Sequence, residues 1–210
     1  MHRLVLGSRS SSRRNLLERL SIPFLVVPPD IDESPLDGEA PELLVRRLSE
    51  RKARAVGARV GTGLVIGSDQ VALLDDTVLG KPGGHAENVA QLAMASGQWL
   101  EFRTGVAVLD AATGRIRSDV VPFAVKFRTL AASDIEAYVS RERAYDCAGG
   151  FRAERLGCAL FERMRGDDPT ALLGLPMIRL CGMLRSAGLD VLRTQGDATP
   201  RAGARATSRC

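Results

Sequence analysis

A handful of positions, far apart along the chain, carry side chains suited to a phosphorylated substrate. Ser8, Ser10, Ser11, Ser12 and Arg13 crowd a Gly/Ser/Arg turn between a short apolar run, residues 4–6, and an amphipathic stretch. At a helix start, such a turn aims free backbone N–H groups, hydroxyls and a guanidinium at one point, where a phosphate meets hydrogen bonds and the helix dipole. The same pattern also serves as a plain N-cap. Asp69 interrupts two apolar runs, VI before it and VALL after it. A charge in that setting is costly unless paired or set on a cleft edge, which makes Asp69 the best single candidate for chemistry. Glu33, in an acidic loop with Asp30 and Asp32, is a second carboxylate. With Asp69 it could share a hard divalent cation, since Mg²⁺ takes one or two carboxylates plus substrate phosphate and water.

Basic residue usage adds to this set. Of 29 basic residues 26 are Arg, and the lysines are Lys52, Lys81 and Lys126. A lysine kept in an Arg-rich chain suits a place needing a compact, movable ammonium rather than a planar fork. Arg13, Lys52 and Lys81 would neutralise a polyphosphate, while a metal polarises phosphoryl oxygens and a base deprotonates water.

Strands and helices interleave without a repeat, so the elements that position these groups read as one α/β fold. A helix is expected over residues 12–20 and a strand over 22–27, followed by a Pro-bounded loop. Leu44, Val45, Leu48 and Val56 lie on one helical face, with Pro41 at the first turn and Gly57 as the stop. Lys52 borders that face. The stretch from 63 to 82 reads as a buried strand ending at Gly67, a polar corner at Ser68, Asp69 and Gln70, then two more strands around a DD turn. A helix over 85–96, strands over 102–109 and 120–130, and a helix from Ser133 with Ser133 and Glu136 at capping-box spacing come next. A Gly-rich turn at 147–150, a strand and a helix over 175–187 complete the body.

Composition narrows the class. With 210 residues, 45% of them hydrophobic, the chain can bury a sizeable core without disulfides or metals. No apolar run nears the roughly 20 residues that span a bilayer, and no signal-peptide pattern is present, so the cytoplasm is the expected compartment. Cys147, Cys158, Cys181 and Cys210 form neither a zinc pattern nor a disulfide framework; Cys158 and Cys181 read as core residues. The net charge of +4 lies mostly in residues 193–210, with four Arg against one Asp. That segment reads as a disordered tail, distinct from a body over 1–192. Nine aromatics and no RNA-binding signature argue against a base-stacking nucleic-acid platform.

The ordered set of GSRSSSRR, Asp32-Glu33, Glu50-Arg51-Lys52-Ala53, Gly67-Ser68-Asp69, Gly80-Lys81-Pro82, Cys147-Ala148-Gly149 and Gly174-Leu175-Pro176 resembles the Maf family of nucleoside-triphosphate pyrophosphatases, up to about residue 192. The resemblance implies a mixed-sheet α/β fold like that of the inosine-triphosphate pyrophosphatases, with two lobes around a deep cleft. It also implies cleavage between the α and β phosphates with Mg, Mn or Co. By position, the resemblance implies that Asp69 is the proton acceptor, that Arg13, Lys52 and Lys81 are the phosphate cations, and that Glu33 joins Asp69 at the metal; Ser8 and Ser10 of the first turn are further candidates for binding phosphate. The GSDQV, GKP, FRAERLG and LFERMRGDDP segments resemble the branch acting on 7-methyl-GTP rather than the dTTP/UTP branch. Ser12, Gln70 and Glu154 fall at the family's specificity positions. Glu154 can accept from guanine N1–H and its amine, while Gln70 can donate and accept. Ser12 stands where that branch can carry an aromatic able to stack on a cationic base, and Glu154 also has Arg152 and Arg155 as neighbours to pair with. A nucleotide substrate, no nucleic-acid or membrane partner and a homodimer are the expected partnerships. A non-catalytic nucleotide-binding regulator of cell division is the alternative from another class.

Overall fold

Leu4 and Leu6 face one side of strand β1 (Leu4–Gly7) and Val5 the other, the period-two alternation of a strand buried on both faces. The computed structural model describes residues 3–193. β1 runs parallel to β2 (Phe24–Val26) and to β3 (Leu64–Leu74), and β3 runs antiparallel to β5 (Trp99–Asp110). β6 (Ile116–Phe127) and β7 (Phe161–Arg165) continue antiparallel, giving a seven-stranded mixed sheet in the order β2-β1-β3-β5-β6-β7. β4 (Thr77–Leu79) pairs with the far end of β3 after a turn in which Asp75 takes φ 51°.

Among the described residues five α-helices cover the sheet: α1 (Ser11–Glu18), α2 (Pro41–Val60), α3 (His85–Ala95), α4 (Ala132–Glu142) and α5 (Met177–Ser186). Leu16 and Leu17 of α1 and Leu180 and Leu184 of α5 pack on Leu4, Leu6, Leu64 and Ile66. On the opposite face, Ala53 and Val56 of α2 meet Val5, Val65 and Ala107. A third cluster joins α3 and α4 to β5 and β6 through Phe102, Phe127, Phe151 and Phe161, whose rings meet edge to face at 5.1–5.7 Å, a geometry that adds to simple area burial.

Several local expectations are corrected. β3 passes through Ser68, Asp69 and Gln70 without a corner, because each polar side chain finds a partner while its backbone stays in the ladder with Val106, Gly105 and Thr104. α2 continues past Gly57, which sits inside the helix because a Cβ there would lie 2.5 Å from Leu109 Cδ2; the stop is Gly61, at φ 72°. The capping box at Ser133 does not form: α4 begins at Ala132, and Glu136 bonds His85 and Ser140 instead. The first helix ends at Glu18, β2 is limited to three residues, and the last helix starts at Met177. Cys158 is exposed and Cys181 half-buried, so neither is core. Among the described residues no helix is long and apolar enough to cross a membrane. Of the expected tail, residues 194–210 lie outside the described residues.

Candidate active site

The turn from β1 into α1 is held by its own serines. The Ser10 N–H donates to Ser8 Oγ at 3.1 Å, and Ser10 is the N-cap, its oxygen accepting from the Arg13 N–H at 3.3 Å. Both hydroxyls keep a proton to donate outward. Arg13 is aimed by a residue distant in sequence, its Nε donating to Gly174 O at 2.7 Å, and the Ser68 hydroxyl bonds the same carbonyl at 2.8 Å. Gly174 has φ 90°, and a Cβ there would lie 3.2 Å from Arg13 Nε, so the Gly-Leu-Pro turn offers its backbone where a side chain would intrude. Burial pushes the Arg13 guanidinium below its ordinary value, against the charges of Asp69 and Glu33 that push it up; it stays charged all the same.

Two glycines bring the remaining groups together. A Cβ on Gly67 would sit 2.1 Å from Ser49 O, and one on Gly105 would sit 2.2 Å from Val45 O. Their bare backbones let α2 lie close against β3 and β5, an approach that strand glycines commonly mark. Lys52 thereby becomes buried rather than bordering the packed face, at 4% exposure. Its Nζ lies 2.6 Å from Asp69 Oδ1 and 3.0 Å from Glu33 Oε2. The charge of Asp69 inside a strand is thus compensated by an ammonium taken out of water with it. The Asp69 carboxylate has no other hydrogen-bond partner among the described residues.

Lys81 is exposed, on a Gly-rich loop after β4 that Gln91 of α3 steadies by donating to Gly80 O at 3.0 Å. Lys126, the remaining lysine, bonds Gly97 O instead.

All of the candidate residues, Ser8, Ser10, Ser12, Arg13, Glu33, Lys52, Asp69, Gln70, Lys81 and Glu154, line one cavity of about 590 Å³. That is within the range of small-molecule sites. Glu154 pairs with neither arginine beside it: Arg152 bonds Asp146 at 2.5 Å and Glu142 O at 2.7 Å, and Arg155 reaches Glu142 at 3.3 Å. Its partner is Ser12, whose hydroxyl donates to Glu154 Oε1 at 2.7 Å. Gln70 is also more constrained than its type implies. Its amide nitrogen donates to Ala171 O at 2.7 Å and to Thr104 Oγ at 2.9 Å, which uses both of its hydrogens.

Sequence reasoning missed Gly105 and Thr104, and it named Ser68 and Gly174 only as parts of motifs, without the hydrogen bonds they make. An isolated glycine within the apolar run of β5 was the available signal for the first of these; Thr104 depends on contacts that no local pattern records.

The fold and this cavity define the class: the chain belongs to the Maf family, whose model, described as Maf-like protein, matches residues 3–187. It is 51% identical over 189 residues to the 7-methyl-GTP pyrophosphatase of Nitrosococcus oceani, covering 90% of this chain and 95% of that one. To the 7-methyl-GTP pyrophosphatase of Albidiferax ferrireducens it is 52% identical over 190 residues, covering 90% and 96%. Among solved structures, the Staphylococcus aureus Ham1 protein overlaps at a TM-score of 0.45 and 13% identity, over 74% of this chain and 89% of that one.

Proposed function

We propose that this protein is a cytoplasmic, metal-dependent nucleotide diphosphatase that removes a modified nucleotide, 7-methyl-GTP, by hydrolysing its α–β phosphoanhydride to 7-methyl-GMP and pyrophosphate. The observation that carries this reading is that Arg13, Glu33, Lys52, Asp69 and Lys81, spread over the chain, line a single cavity. Supporting it, proteins about half identical over nine-tenths of the chain bear the name 7-methyl-GTP pyrophosphatase.

In the proposed reaction, the α1 amides with Ser8 and Ser10, and the cations of Arg13, Lys52 and Lys81, hold the triphosphate oxygens. A water attacks the α-phosphorus, the bond to the bridging oxygen breaks, and that oxygen leaves with pyrophosphate. Asp69 takes the water's proton, a role that contributes about a hundredfold to ten-thousandfold in rate. The three cations stabilise the charge growing on the leaving group.

The donor set fits a divalent cation. Glu33 and Asp69 already share one positive charge, the Lys52 ammonium. Among the described residues no group of three or more His, Cys, Asp or Glu gathers to hold an ion. Two carboxylates completed by substrate oxygens and water is the manner in which Mg²⁺ is held. Glu33 and Asp69 would hold the ion, which when bound neutralises phosphoryl oxygens and lowers the pKa of bound water.

The test is pyrophosphate release from 7-methyl-GTP, GTP, dTTP and UTP, with and without chelator. Release fastest from 7-methyl-GTP and abolished by chelator is expected. Fastest release from dTTP or UTP would move the chain to the other branch, and saturable binding without product would make it a non-catalytic regulator.

A further inference from the structure

Thr104 of β5 faces Gln70 of β3 across the ladder and is fully buried. Its hydroxyl donates to Ala171 O at 2.9 Å and accepts one hydrogen of the Gln70 amide at 2.9 Å. The second amide hydrogen goes to Ala171 O at 2.7 Å, with Leu172 O at 3.3 Å. Carbonyl oxygens only accept, so the amide is held in one orientation, nitrogen toward the turn at residues 169–173. Gln70 Oε1 has no hydrogen-bond partner among the described residues, and Gln70 lines the cavity. Glu154 lines it too, and an ionised carboxylate is acceptor only; one of its oxygens is fixed by Ser12.

We propose that Thr104 is a positioning residue for base selection: with the Ala171 carbonyl it holds the Gln70 amide nitrogen away from the substrate, which leaves only acceptors at positions 70 and 154, so the base that binds must carry two neighbouring donors. This rests on reading the cavity as a nucleotide site. Guanine offers N1–H and its 2-amino group side by side. Hypoxanthine lacks the amine, xanthine has a carbonyl oxygen in its place, and uracil has one N–H flanked by carbonyls. Methylation at N7 places a positive charge on the guanine ring and makes N1–H a stronger donor, which strengthens hydrogen bonds to a carboxylate. Selection of a cationic base therefore has a source other than an aromatic at position 12.

Calorimetric titration with 7-methyl-GMP, GMP, IMP and XMP tests this without requiring turnover. The wild-type protein should bind GMP about tenfold or more tighter than IMP, 7-methyl-GMP tighter than GMP, and XMP weakest. Thr104→Val, which keeps the shape and leaves the Gln70 amide on the Ala171 and Leu172 carbonyls alone, should lower the GMP-to-IMP ratio by about threefold, and Thr104→Ser should restore the wild-type ratio. Should Thr104→Val fail to fold, Gln70→Met, which removes the amide itself, takes its place, with GMP and IMP then expected to bind within about threefold of each other. Equal GMP and IMP affinity in the wild-type protein, or an unchanged ratio in the folded Thr104→Val or in Gln70→Met, would overturn the proposal. Selective binding without pyrophosphate release would remove the hydrolase reading and leave base selection standing; release without GMP selectivity would do the reverse.

Discussion

Lys52 sits between two carboxylates, and only one of them is shielded from water: the Asp69 side chain is 10% exposed and that of Glu33 55%. Removing the ammonium therefore falls mainly on Asp69. Lys52→Met should destabilise the fold by about 3 kcal/mol, the cost of leaving a buried charge unpaired, measured by urea denaturation. A change within about 0.5 kcal/mol, as for a surface substitution, would show that the pair is not held in solution. Lys52→Arg is not a conservative exchange here, since a larger planar guanidinium would have to fit where a compact ammonium is buried between Asp69 and Glu33. At the cavity wall, burial, with Asp146 alongside, pushes the Cys147 thiol up to about 11. The thiolate is the nucleophile, and at pH 8 a group with a raised pKa is almost wholly protonated. Iodoacetamide should therefore modify exposed Cys158 before Cys147, read peptide by peptide by mass spectrometry; modification of Cys147 first would contradict the description of its surroundings.

The reach of α2 against the sheet decides whether Lys52 and Asp69 meet at all. Gly67→Ala would put a methyl group 2.1 Å from Ser49 O, and backbone cannot swing aside as a side chain does. The expected cost is about 2–3 kcal/mol, typical of overpacking, together with a marked fall in turnover as α2 is pushed from β3. Wild-type melting and activity would show that the helix has room to move. This scale is also where the sequence is most and least legible. The face of α2 is visible in the spacing of Leu44, Val45, Leu48 and Val56, and the start of α3 at His85 follows a Gly-Gly break. The strand through Ser68, Asp69 and Gln70 is not visible, since three polar residues look like a corner until their partners are known. One of those partners, Gly174, lies 106 residues away from Ser68. Gly57 illustrates the same ambiguity: a glycine that ends a helix and one that makes room for Leu109 read alike in one dimension. Ser133 and Glu136 have the spacing of a capping box, but His85 and Ser140 take the glutamate.

In the whole molecule, the cavity is assembled from residues between Ser8 and Gly174, with contributions from the β1–α1 turn, the acidic loop, α2, β3, the loop bearing Lys81, residues 146–154 and residues 172–174. The candidate residues that line the cavity were legible where their types are unusual for their surroundings: an aspartate in an apolar strand, lysines in an Arg-rich chain, serines crowding a helix start. What holds them was not, because Gly174 O, Thr104 and the two close-approach glycines act through backbone geometry, which leaves little trace in residue type. The hydrolysis proposed above turns on Asp69 taking a proton from the attacking water. The most direct measurement is the rate of pyrophosphate release from 7-methyl-GTP by Asp69→Asn beside the wild-type protein, with circular dichroism confirming that both are folded. Asparagine can still accept from Lys52 but is no base, so a fall of about a hundredfold or more is predicted, and a folded variant releasing pyrophosphate at the wild-type rate would contradict it.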